Sequence, residues 1–416
     1  SRLLSWARRG VEETGMIRCR YPSGQVGRSR TLSVYAAAAM LPGVVLAAVA
    51  TSAPNAAARE PDRECATAHA SALSPQPSED QRDYRARLHS FATGEGVKVA
   101  VIDTGVEHHN QLRNLSGGAD LVAPEDPEPH RDCDLHGTVV AGVIAGHDIG
   151  IAPRAEIYAV RQTSAHYRQE KEESTTGSLD TLAQAIDDAA DAGARIINVS
   201  VVSCVPPDVA AQVDTSRLDG ALAHAENSGA LVIAASGNAS SGGCEMGDRV
   251  FPADSPTVLS VSAQADSHEL ADYSLNSAEG PQLAAQGFVP LALNPAGGWA
   301  DGKEGAEGTT QFHGTSFAAP VVSGTAALLA QRFPDDSPAA LRGRLEDAAQ
   351  PGHGFIDPLT VLTHVESATN IDTRAMAIEP AEEQASLAPL RSSWALGGLV
   401  LALAAWAAWR GMRPKS

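Results

Sequence analysis

Residues 97–105 read VKVAVIDTG, an apolar run that stops on an acid. A strand with one face in water alternates apolar and polar residues. A run without alternation must be covered on both faces. The chain that follows supplies the cover. GTVVAGVIAG reads as a small-residue helix, AEIYAVRQ as a strand and SLDTLAQAIDDAADAGA as an amphipathic helix. ARIINVSVV is a strand, LDGALAHAENSGA a helix, ALVIAASGN and VLSVSAQ strands, and SFAAPVVSGTAALLAQRFP a last helix. This alternation predicts an α/β fold, a parallel sheet with helices on both faces. In such sheets, sites form at the carboxyl ends of the strands.

Around that centre the texture is looser. Residues 59–95 are polar and irregular, an extended arm with a short helix near 80–91. Residues 164–178 form a charged insertion, expected as an exposed loop. Residues 274–311 are rich in Gly, Ala and Pro and read as a second irregular region. Residues 368–391 lack periodicity and read as a linker. There are 50 acidic residues against 31 basic, a formal charge of −19. A polyanion would be repelled, so nucleic acid is excluded as a partner.

Both ends suggest membrane traffic. Arg28 and Arg30 precede an apolar stretch, residues 32–50, then the small residues TSAPNAAA, then charge from Arg59. This is the three-part form of a secretory signal with a cut after Ala58; the other reading is an uncut signal anchor. Residues 392–409, SSWALGGLVLALAAWAAW, are long enough for a membrane helix, with Trp394, Trp406 and Trp409 at interfacial positions. Arg410, Arg413 and Lys415 then predict a cytoplasmic tail, residues 410–416. A buried core helix is the alternative. Everything between the two segments is expected outside the membrane. Of five cysteines, Cys65, Cys133, Cys204 and Cys244 follow the signal, and an even number there suggests two disulfides. Three pairings are possible. Cys19 precedes the signal.

Three residues belong together chemically. Asp103 ends a buried strand, His136 stands where DLHGTVVAG turns into a helix, and Ser316 opens the helix of HGTSFAAP. A serine hydroxyl needs an imidazole to take its proton and a carboxylate to fix the imidazole's tautomer. Each residue alone has a plain reading, as a strand-end cap, a satisfied polar group or an N-cap. Helix N–H groups after Ser316 would face a developing oxyanion, and Asn238, in AASGN at the end of another strand, offers a second donor. Gly314 allows close approach of a substrate backbone. Pro320 is read as lying in the first helical turn, where no N–H partner is lost. His108, His109 and His313 lack the paired spacing of a zinc site. No metal and no cofactor is expected.

The order Asp, His, Ser in VIDTG, HGTVVAG and GTSFAAP, with GIAP and AASGN in register, resembles the subtilisin-like (S8) serine proteases over residues 90–367. A narrower resemblance is to the mycosins, membrane-anchored subtilisin-like proteases of actinobacterial type VII secretion. It rests on RQTS at 161–164, YSLN at 273–276, GHGFIDPLTVLT at 352–363 and the C-terminal apolar segment. The resemblance implies a subtilisin-like protease domain over residues 96–367, with a leader and signal at 1–58 and an N-terminal extension at 59–95. It implies Asp103, His136 and Ser316 as the triad and Asn238 as oxyanion donor. Ser200, Ser236 and Gly237 would line the substrate cleft. It pairs Cys65 with Cys133 and Cys204 with Cys244. It implies protein substrates and a type VII secretion complex as partner, either as a working protease or as a structural part of that complex. Asn198-Val199-Ser200 continues as Val201-Val202 where the family has Gly, so P1 preference is not carried over. No acidic cluster stands at the family's calcium positions.

Overall fold

A computed structural model describes residues 60–167, 177–239, 244–266, 268–276, 281–306, 308–365 and 388–411. All belong to one compact unit, Ala56–Ser416. The signal, its cut site, Cys19, most of the charged insertion, most of the linker and residues 412–416 lie outside the described residues.

In chain order the elements are β1 (Ala68–Ser71), α1 (Glu79–Phe91), β2 (Lys98–Asp103), β3 (Leu115–Asp120), α2 (His136–Ala145), β4 (Glu156–Arg161), α3 (Leu179–Asp191) and β5 (Ile196–Val199). There follow β6 (Ser203–Val205), α4 (Pro207–Ala210), α5 (Ser216–Asn227), β7 (Leu231–Ala235), β8 (Arg249–Phe251) and β9 (Leu259–Gln264). Next come β10 (Gln282–Gln286), β11 (Phe288–Val289), β12 (Ala292–Leu293), β13 (Trp299–Gly305), β14 (Gly308–Thr310) and β15 (Phe312–His313). The last are α6 (Thr315–Arg332), α7 (Pro338–Asp347), α8 (Pro358–Thr363) and α9 (Ala388–Gly411).

Seven strands form the central sheet in the order β10-β9-β7-β5-β2-β4-β3, and every pairing is parallel. The apolar run of β2 is divided by the pleat. Val99 and Val101 enter one core with α2 and α6; Ala100 and Ile102 enter the other with α3 and α5. Side chains alternate faces along a strand, so one continuous run serves both cores. The chain leaves β2 for β3 and β4 on one side and for β5 and β7 on the other. Asp103 therefore ends the strand at the point where the winding reverses, and α2 and α6 lie on one face there.

The structure corrects two readings. Residues 274–311 are not merely irregular, because they contain β10 to β14. β10 extends the main sheet, and β13 pairs with β12, β14 and the arm strand β1. LSGGAD, unread as a strand, is β3 at the sheet edge. These segments are poor in large β-branched residues, and β3, β10 and the β1–β13 pair are held by partners distant in sequence, which local pattern does not reveal.

The arm is tied down along its length. Cys65 is bonded to Cys133, and Cys204 to Cys244. The Ala66 N–H donates to the Cys133 carbonyl at 2.8 Å. α1 begins at a capping box on Ser78, and its Tyr84 hydroxyl donates to Asp357 at 2.5 Å. In RQTS, Arg161 is fully buried on fully buried Asp120 at 3.0 Å, with its guanidinium 4.4 Å from the Tyr167 ring. Among the described residues, no helix is long and apolar enough to cross a membrane. α9 covers much of the segment in question, and its described side chains are exposed, Trp394, Trp406 and Trp409 among them.

Candidate active site

The acid and the base meet at the carboxyl end of β2. Asp103 is fully buried, and its Oδ1 lies 2.7 Å from Nδ1 of His136, whose side chain is 20% exposed. The Thr104 N–H also donates to Oδ1, at 2.7 Å. His136 opens α2, and the residue before it, Leu135, has φ 64°. A left-handed leucine costs about 1–2 kcal/mol and here turns the chain sharply into the helix. Gly137 is required by the same crowding. A Cβ there would stand 2.0 Å from the Gly105 carbonyl oxygen.

Burial pushes the His136 imidazole down, but the Asp103 charge and hydrogen bond outweigh it. Lys303 acts downward and Asp132 upward, and the net shift is upward. The ring is thus prepared to carry a positive charge.

Ser316 is the second residue of α6. Gly314 before it has φ 152°, and a Cβ there would come within 3.2 Å of Asn238 Nδ2. Phe317, just after it, places its ring centroid 5.1 Å from that of His136. The starts of α2 and α6 therefore touch. Among the described residues no hydrogen bond joins Ser316 Oγ to His136; such bonds commonly tighten only in the substrate complex. Pro320 is not in the first turn as expected, because α6 starts at Thr315. It sits where a helix would need its N–H to reach the Ser316 carbonyl. The Ser200 hydroxyl fills that place, donating to the Ser316 carbonyl at 2.9 Å. Asn198 holds Ser200 through Nδ2 at 2.8 Å, and its Oδ1 accepts from Ser323 Oγ of α6 at 2.8 Å.

Asn238 follows β7. Its Oδ1 accepts from the Thr315 N–H at 2.9 Å and from the Thr315 hydroxyl at 3.1 Å. With the carbonyl end so held, Nδ2 is the end left to donate beside Gly314. One edge of the sheet thus gathers a charged pair, a serine at a helix mouth and an amide donor. Residues 94–375 match the subtilase family.

The chain belongs to the subtilase family.

Among subtilases it is similar to Mycosin-4 of Mycobacterium tuberculosis (strain ATCC 25618 / H37Rv), 37% identical over 290 residues, 64% of this chain and 62% of the relative. The chain thus spans a little under two thirds of Mycosin-4. The MycP3 protease from the type VII (ESX-3) secretion system has 31% identity and a TM-score of 0.66, covering 73% of this chain and 93% of that one. A chain of the intact ESX-5 inner membrane complex has 27% identity and a TM-score of 0.66, covering 84% and 94%.

Within this subtilase the three residues expected to line the cleft hold supporting positions. Ser200 is 3% exposed and engaged with Ser316. Ser236 is fully buried and donates to the Leu275 carbonyl at 2.6 Å. Gly237 donates its N–H to Thr315 Oγ1 and accepts from the Leu275 N–H. Sequence reading missed Thr104, Asp132, Thr138 and Thr315, which link these groups. The available signal was their place beside Asp103, His136 and Ser316. Among the described residues no cluster of His, Cys, Asp and Glu could hold a metal ion.

Proposed function

We propose that the chain is a serine endopeptidase acting on proteins outside the cytoplasmic membrane. The observation that carries this reading is the buried Asp103–His136 pair at 2.7 Å, with Ser316 opening the helix packed against it. Ser316 Oγ attacks the scissile carbonyl while His136 Nε2 takes its proton. Asp103 holds the Nδ1–H tautomer and offsets the imidazolium charge. The oxyanion is held by Asn238 Nδ2 and the Ser316 N–H. His136 then protonates the leaving amine, and water, activated by the same ring, releases the acid. The substrate lies extended beside the cleft as an added strand. A fluorophosphonate probe should label Ser316 in the wild-type chain and leave Ser316→Ala unlabelled. Labelling elsewhere, or none, would sink the reading.

The C-terminal segment anchors the enzyme, with the protease domain extracytoplasmic and residues 410–416 cytoplasmic. As one helix, residues 392–409 would be about 27 Å long, close to a bilayer core; the side chains of residues 392 and 393 lie outside the described ones, over which no span is found. Support comes from the exposed apolar faces of α9 between Arg391 and Arg410. A chain truncated after Arg391 should leave the membrane fraction. The partner is a type VII secretion complex, a reading supported by the relative in the intact ESX-5 inner membrane complex. That relative also favours a second role, as a structural part of the complex with proteolysis secondary. Complementation by Ser316→Ala separates the two: secretion that survives without processing supports the structural role, and secretion lost with activity removes it.

A further inference from the structure

A second carboxylate stands directly behind the Asp103–His136 pair. Asp132, 6% exposed, lies four residues before His136. Its Oδ2 accepts from the N–H of Thr138 at 2.8 Å and from the Thr138 hydroxyl at 2.7 Å. Its Oδ1 accepts from the Thr104 hydroxyl at 2.7 Å. The same hydroxyl oxygen accepts from the Gly137 N–H at 3.1 Å and lies 3.2 Å from Asp103 Oδ1.

These contacts solve a local problem. The residue at the N-cap of α2 is Leu135, which has no side-chain acceptor. The first N–H groups of a helix need acceptors. Here they come from outside the helix: Thr104, at the end of β2, takes the N–H of Gly137, and Asp132 takes that of Thr138. The cap therefore fastens the start of α2, and so His136, to the strand end that carries Asp103. A carboxylate at a helix N-terminus is also favoured by the helix dipole.

The Thr104 hydroxyl has one proton and two carboxylates within reach. The shorter contact gives it to Asp132. Asp103 Oδ1 then keeps one donor fewer, which leaves its charge more available to the imidazole.

We propose that Asp132 is a positioning residue of the peptidase: through Thr104 and Thr138 it sets the pose of His136, and its charge stabilises the imidazolium formed during acyl transfer. The inference rests on the peptidase reading above. Burial pushes the Asp132 carboxyl up, the Thr138 and Thr104 donors pull it down by favouring the ionised form, Asp103 pushes it up, and the net direction is upward. The charged groups facing this position are Asp103 from β2 and His136 from α2, with Lys303 of β13 acting on His136. The Asp134 N–H also donates to Asp132 Oδ1 at 3.3 Å, while the Asp134 carboxylate is engaged with Ser164 and Arg131 with Glu128.

The test is the rate of fluorophosphonate labelling of Ser316 against pH, in the purified full chain. Asp132→Asn keeps an acceptor for Thr138 but removes the charge and donates to Thr104. The acid limb should move down by about one pH unit, because a negative charge near the ring is lost. The plateau rate should fall by less than the roughly hundredfold or greater cost of losing a general base. A purely capping role would leave the limb in place, so a folded Asp132→Asn chain with the wild-type limb overturns the inference. Where that variant does not fold, Thr104→Val cuts the same link. Its labelling rate should fall about tenfold, the size of one lost buried hydrogen bond, and Thr104→Ser should recover it. A Thr104→Val chain labelling at the wild-type rate overturns the inference too. A wild-type chain that never labels at Ser316 sinks the peptidase reading and this inference together; labelling with an unmoved limb sinks this inference alone.

Discussion

The two sides of the cleft are held differently. On the acid–base side, a chain of hydrogen bonds pins the start of the helix to the strand end: Asp103 Oδ1 with His136 and Thr104, Thr104 with Gly137 and Asp132, Asp132 with Thr138, while Asp103 Oδ2 is buried without a hydrogen-bond partner. On the nucleophile side, the backbone is fixed and the hydroxyl is not. Ser200 holds the Ser316 carbonyl and Asn238 holds the Thr315 N–H, while Ser316 Oγ makes no hydrogen bond among the described residues. In the proposed peptidase the base must keep one tautomer and one orientation through both proton transfers, which favours over-determination. The nucleophile must swing from its base to a carbon, which favours a fixed pivot and a loose arm.

This contrast can be broken at several points. The largest effect belongs to Asp103→Asn, which keeps the shape and removes the tautomer control; kcat should fall about 10⁴-fold with a small change in KM. A fall below tenfold would mean the charged pair is not what prepares His136. Next is Asn238→Ala, which should cost about 10²–10³ in kcat, the range for one oxyanion donor. Because Asn238 Oδ1 also holds Thr315, a melting curve should accompany the kinetics.

Ser200→Ala sharpens the pivot half of the comparison. It leaves the Ser316 carbonyl without a donor, since Pro320 has none, and should destabilise the fold by about 1–3 kcal/mol. Adding Pro320→Ala restores a helical N–H, so the double variant should be less destabilised than the Ser200→Ala single. Equal losses would show that the carbonyl's partner is immaterial. The pH profile tests the base. His136 must be neutral to accept a proton, and its pKa is raised by Asp103 against burial. Activity should therefore rise with pH along an acid limb above the ordinary histidine value of about 6.5. The smallest expected effect is away from the cleft: Tyr84→Phe removes a hydrogen bond to Asp357 and should lower stability by about 1–2 kcal/mol with kcat unchanged.

What the sequence made legible follows from how each part is held. β2 and β7 are buried on both faces, so VAVI and LVIAA form uninterrupted apolar runs that need no knowledge of partners, and β5 and β9 depart from that pattern only at Asn198, Ser260, Ser262 and Gln264. The placement of Asp103, His136 and Ser316 was legible because these residues end such a strand or open the helices beside it. β3 and β10 were not, since Gly117, Ala284 and Ala285 carry little strand signal and pair with other strands, and β12 to β14 are short local hairpins in which Gly302, Gly305 and Gly308 carry little strand signal either. The displacement of Pro320 into the second turn was hidden too. It is tolerable only because Ser200, 116 residues before Ser316, supplies the missing donor to the Ser316 carbonyl. Asp132 looked like one acid among fifty. Only its distance to Thr104 and Thr138 distinguishes it.

The Cys65–Cys133 bond has a consequence for how this protein would be seen to mature. Everything from residue 66 to residue 132 is a covalent loop closed by sulfur. A protease cutting once inside that loop would separate no fragment, and the severed arm would travel with the enzyme until a reductant was added. Such a cut would be invisible on a non-reducing gel and would appear as two bands once thiol is present.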